Sequence, residues 1–109
     1  MAQNNGFDAY HELLGIPPAE QPPNLYRLVG ISLFENTPSV IERAADRQMS
    51  HLRGFQVGKH AVDSQRLLNE ISRARHILMN EAEKAAYDAQ LRKKLEPKKQ
   101  EPKPRIDTE

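Results

Sequence analysis

Apolar residues recur every three or four positions in two long stretches of the chain, and each stretch is bounded by residues that start or stop helices. From Pro38 to Arg53 they fall at Ile41, Ala45, Met49 and Leu52, with Gln48 beside Met49, which places them on one face of a helix. Thr37 reads as its N-cap and Pro38 as its first helical residue, where no amide hydrogen is missed. Gly54 reads as its stop. At 1.5 Å per residue this helix should be about 24 Å long. The second stretch, Ala61 to Met79, carries its stripe at Leu67/Leu68, Ile71, Ala74 and Leu78. The connection Phe55–His60 is of ordinary length, so the two helices are expected to pack antiparallel, each burying its one apolar face against the other.

Shorter segments flank this pair. Asp8 is a plausible cap for one or two helical turns containing Tyr10, Leu13 and Leu14, with Gly15, Pro17 and Pro18 as terminators. Such a piece is too short to be stable unless it docks. The prolines of 17–23 favour a stiff extended path. Asn24–Ile31 then echoes the first segment: Tyr, two aliphatics, Gly, Ile. The spacing differs by one residue, so this is no repeat array. Each segment is expected to end at its glycine and drop an isoleucine onto a shared core. After the hairpin, Asn80 and Glu83 form a capping-box-like start. Ala82, Ala85, Ala86, Tyr87, Ala89 and Leu91 carry a last helix towards Leu95, and Pro97 stops it. Residues 96–109 alternate Lys, Pro and Glu and are expected to be a disordered tail or linker, as in the front piece of a longer protein.

The expected organisation is therefore 1–23, a short helix and Pro-rich connection; 24–95, the helical domain; and 96–109, the tail. Composition narrows the possible functions. The chain of 109 residues has room for one domain. It has no cysteine, which excludes disulfides and thiolate chemistry and fits a reducing cytoplasmic location. Met1–Asn5 lacks the features of a signal peptide. No apolar run approaches the ~20 residues that span a bilayer. Residues 1–91 hold nine Lys/Arg against eleven Asp/Glu, whereas residues 92–109 hold seven against four. A slightly acidic folded part argues against nucleic-acid binding. The basic run Arg92-Lys93-Lys94 and Lys98-Lys99 has no interleaved aromatic for base stacking and reads as a solvated linker.

Tyr26-Arg27-Leu28-Val29-Gly30-Ile31, a polar turn, two long helices and then Ala85-Ala86-Tyr87-Asp88 resemble, in order and spacing, the J-domain of DnaJ-type co-chaperones. The resemblance covers about Asn24 to Leu95. Asn69-Glu70-Ile71 with Ala74 is similar to the family's Asn-Glu-Ala-Tyr signature. With Gly15-Ile16-Pro17-Pro18 and Gln21-Pro22-Pro23 included, the chain further resembles J-like modules near the start of planctomycete proteins. The resemblance implies an all-α fold, a J-domain-like antiparallel hairpin with short flanking helices. It also exposes a departure. Where the family carries His-Pro-Asp after the first long helix, this chain has Arg53-Gly54-Phe55, and neither His51 nor His60 is followed by Pro-Asp. The basic face of that helix is mixed, Arg43, Arg47, His51 and Arg53 sharing it with Glu42 and Asp46. Stimulation of a DnaK-type ATPase in the usual way is therefore not expected.

Searches for other chemistry return little. His11, His51, His60 and His76 lack zinc-motif spacing, although His51 and His76 are candidates to meet across the hairpin. Ser39, Ser50, Ser64 and Ser72 sit in helical surroundings without a nucleophile elbow, and the scattered glycines form no phosphate loop. Asp88 reads as a surface or capping group. Phe55 and Val57 read either as a docking group or as a cover for the open end of the hairpin. The expectation is a monomeric, non-enzymatic protein-binding module without cofactor, metal or catalytic residues. Its candidate contacts are Arg43, Arg47, His51, Arg53, Phe55 and Lys59, and its partner is a protein, a DnaK-type chaperone among the candidates. An atypical co-chaperone and a spacer for a downstream domain are the alternatives.

Overall fold

The computed structural model describes residues 7–95. The expectations for Met1–Asn5 and for the tail at 96–109 lie outside the described residues. Every regular element among the described residues is helical: α1 (Ala9–Leu14), α2 (Leu25–Val29), α3 (Pro38–Arg53), α4 (Ala61–Met79) and α5 (Glu81–Leu95), with a 3₁₀ turn at Pro18–Glu20 between α1 and α2.

The two short helices close in the same way. An Asp8 carboxylate oxygen accepts the His11 amide at 3.2 Å, and Asn24 Oδ1 accepts the Arg27 amide at 2.8 Å. Gly15 and Gly30 then adopt φ of 71° and 83°, a left-handed turn that a side chain would strain. The next amide in each case reaches back across the turn, Ile16 to Tyr10 and Ile31 to Tyr26. Ile16 is fully buried and Ile31 half-buried against the same core, as the parallel motifs suggest.

The long helices pack antiparallel. Ile41, Ala45 and Leu52 of α3 share a core with Leu67, Ile71, Ala74 and Leu78 of α4, all at most 2% exposed. Polar contacts set the register: the buried Ser64 hydroxyl donates to the Leu52 carbonyl at 2.6 Å, and Arg75 pairs with Glu42 at 2.9 Å. Residues near the end of α3 therefore lie beside the start of α4. This separates His51 from His76, which lies by the Glu42 end and pairs with Glu83 at 3.7 Å. The suggested meeting of the two histidines does not occur.

Thr37 and Gly54 bound α3 as their sequence context suggests, each with a geometry of its own. Thr37 occupies the cap position of α3 without a side-chain capping bond. Its own amide is instead taken by Glu35 at 3.0 Å, and that bond holds the Glu35 carboxyl below its usual range. Gly54 keeps a right-handed conformation, and α3 ends in tightened turns in which Gly54 bonds His51 and Phe55 bonds Leu52.

α4 packs against each of the other four helices. Ala9, Leu13 and Ile16 join Tyr26, Leu28 and Val29 in the core that α3 and α4 build, so the prolines at 22 and 23 divide the chain but not its core. α5 forms as the sequence suggests, from Asn80 towards Leu95. Asn80 caps it, its side chain accepting the Glu83 amide at 2.9 Å. Yet Ala82, Ala85, Ala86 and Ala89 are all exposed. The inward row is Lys84, Asp88 and Leu91, spaced four and three residues apart, with Tyr87 alongside. Methyl groups bury little area, and a polar partner at Asp88 settles the rotation instead.

Candidate protein-binding surface

That partner is Tyr26. Its hydroxyl donates to Asp88 at 2.5 Å, and Lys84 pairs with the other carboxylate oxygen at 2.9 Å. Asp88 is thus a buried structural acid and not the surface group its sequence context suggests; it is 7% exposed. Three tyrosines pin elements in this manner. Tyr10 donates to Glu70 at 2.7 Å, joining α1 to α4, and burial together with that bond pushes its hydroxyl up to about 12. Burial and the Asp88 bond likewise push Tyr26 well above the ordinary tyrosine range. Tyr87 accepts the Leu25 amide at 2.9 Å, and burial raises it as well. These hydroxyls are committed to holding helices together. Further along α5, Arg92 lies over the Phe34 ring at 4.1 Å, where Phe34 adopts a φ of 62°.

The residues selected from the sequence divide into three groups. Arg43 and Arg47 lie one turn apart on the solvent row of α3, both exposed and without an ion-pair partner among the described residues. Arg47 borders a shallow depression shared with Arg27, Glu35 and Val40. His51 continues the row but is already engaged. Its Nε2 lies 2.7 Å from the Leu13 carbonyl, to which the ring must donate, and the ring meets Phe55 edge-on at 5.4 Å. It brackets α3 to α1. Arg53 is exposed, but six residues from Arg47 places it about a third of a turn round the helix. The structure therefore does not gather Arg43, Arg47, His51 and Arg53 into one stripe.

At the hairpin loop the roles of the apolar groups separate. Phe55 is half-buried and packs on the core, covering the open end of the helix pair. Val57 is 83% exposed and Val62, which the sequence did not single out, is 82% exposed. Lys59 is exposed between them in sequence and has no ion-pair partner among the described residues. The loop end thus offers two bare aliphatics beside free cations. Elsewhere, Arg27, Arg66 and Arg75 are each paired with a carboxylate. Arg73, on α4, is a further exposed arginine with no ion-pair partner among the described residues.

His60 stacks on Phe7 with ring centroids 4.2 Å apart. Among the described residues no group of three or more His, Asp or Glu side chains is placed to hold a metal ion, and no helix is long and apolar enough to cross a membrane. No family model, no curated protein and no solved structure matches the chain.

Proposed function

We propose that this chain is a non-enzymatic protein-protein interaction module with a J-domain-like fold, unable to stimulate a DnaK-type ATPase in the usual way. The observation that carries the reading is the free surface of α3 and the adjoining loop. Arg43, Arg47, Arg53 and Lys59 have no ion-pair partner among the described residues, and Val57 and Val62 stand in solvent. Cations beside bare aliphatics suit a protein surface that is acidic around an apolar centre.

The J-domain-like part of the reading is supported by element order and by one long-range contact. A short helix bearing Tyr26, an antiparallel helix pair and a closing helix bearing Tyr87-Asp88 follow one another, and Tyr26 and Asp88, from opposite ends of the resemblance, meet at 2.5 Å. The missing stimulation follows from the loop. Arg53-Gly54-Phe55 forms a turn, His51 is held by Leu13, and His60 by Phe7, so neither histidine stands free beside a Pro-Asp pair.

Single-turnover ATP hydrolysis by the source organism's DnaK-type chaperone, with and without the folded chain, tests this. The expected rate is unchanged. Clear stimulation would overturn the reading in favour of an atypical co-chaperone.

A further inference from the structure

On the side of the molecule away from the hairpin loop, a groove of about 930 Å³ runs between the Pro22–Leu25 segment and the second half of α5. Pro22, Pro23 and Leu25 form one wall, and Tyr87, Leu91 and Leu95 the other. The volume lies within the ~300–1,000 Å³ of preformed ligand sites. The walls are tied to each other by the Leu25 amide on the Tyr87 hydroxyl at 2.9 Å and, one residue along, by Tyr26 on Asp88 at 2.5 Å. A groove fixed in this way needs little ordering when it is filled.

The chemistry of the walls selects the occupant. Pro22 and Pro23 have no amide hydrogen, so that wall offers no ladder of donors for an added strand. The occupant must satisfy its own backbone, as a helix does. Half of the lining side chains are apolar or aromatic, and Leu95 remains 47% exposed. At the rim Lys93 and Lys94 carry no ion pair among the described residues, while the one rim acid, Glu20, is paired with Arg27. The rim is therefore net positive. The chain's own residues 96–109 hold four Lys/Arg against four Asp/Glu and a single aliphatic, Ile106, so they supply neither the net acid nor the apolar face that this groove selects. We infer that this groove docks the apolar face of a short acidic amphipathic helix from another protein. This site is separate from α3 and the hairpin loop and does not depend on the reading given for them.

The test is fluorescence anisotropy of the full chain with a labelled synthetic helical peptide bearing leucines at i, i+3, i+4 and i+7 and glutamates on its other faces. A charge-swapped peptide with lysines for the glutamates should bind about tenfold more weakly. Replacing both Lys93 and Lys94 with glutamate should cost a similar factor, and Leu95→Ser should weaken binding several-fold. All three residues are exposed, so circular dichroism should show an unchanged fold. Amide shifts of Leu25, Tyr87 and Leu91 should move, while those of Arg43, Arg47 and Val57 stay in place. Equal binding of both peptides, or none, would overturn the inference. So would contacts from residues 96–109 to the groove in the free chain, or concentration-dependent self-association abolished by Leu95→Ser.

Discussion

The α3–α4 pair and α5 are attached to the same core by different forces. Between α3 and α4 seven aliphatic side chains of the shared core are almost wholly removed from water, and burial of this kind is worth roughly 1.5–3 kcal/mol per large side chain. α5 contributes one buried apolar side chain, Leu91, and is otherwise held by Tyr26–Asp88–Lys84, the Tyr87–Leu25 bond and Arg92 over the Phe34 ring. An apolar stripe supplies stability but tolerates small rotations. A buried carboxylate with two specified partners supplies less net energy and permits one docking. The hairpin is thus the rigid platform under the exposed α3 and loop surface, and α5 should open locally at a lower free energy than the hairpin.

The largest expected effect breaks the apolar side of the comparison. Leu52→Ala, at a position with no exposure, should lower unfolding free energy by about 2–5 kcal/mol in urea denaturation. Leu68→Ala should fall towards the lower end of that range, because Leu68 keeps 9% exposure. A near-neutral result at both would remove the hairpin as the source of stability.

Alkaline pH acts on the polar side. Tyr10 rises from 10.0 to about 12, and Tyr26 and Tyr87 also rise, so the folded state retains protons that the unfolded chain has lost. Their contribution is complete below pH 10 and declines as the pH climbs through the folded values. Melting temperature should be flat to about pH 10 and then fall, with tyrosinate absorbance rising together with unfolding. Ordinary tyrosine titration with no loss of fold would contradict the three pins.

Tyr26→Phe should cost about 1–3 kcal/mol by leaving the Asp88 carboxylate with Lys84 alone. Its signature is regional: hydrogen exchange should quicken across α5 more than across α3 and α4. Tyr87→Phe removes an acceptor only from the partly buried Leu25 amide and should cost about 0.5–1.5 kcal/mol. Arg43→Glu with Arg47→Glu should leave stability within about 0.5 kcal/mol, since both are exposed and make no ion pair among the described residues.

The same contrast explains which features could be read from the sequence. Helical periodicity is a local signal, so the faces of α3 and α4, the caps at Asp8 and Asn80, and the glycine stops at 15 and 30 could be read along the chain. The rotation of α5 could not. Its alanines suggest one inner face, while the deciding contact joins Asp88 to a tyrosine 62 residues earlier. Only the Lys84–Asp88 spacing hinted at it. The candidate surface was half visible. Arg43, Arg47, Arg53 and Lys59 read correctly as exposed, but His51 is taken up by the Leu13 carbonyl and Phe55 by the core, both partners distant in sequence. Val62 escaped notice because an isolated valine on a helix carries no motif.

In-cell photo-crosslinking from position 57, compared with position 73, tests most directly that α3 and the hairpin loop are the partner-facing surface. Both positions are exposed, so accessibility alone does not separate them. The expected result is a discrete crosslinked protein from position 57 that is absent from position 73 and lost when Arg43 and Arg47 become glutamate. Equal capture from both positions, or capture indifferent to the two arginines, would contradict it.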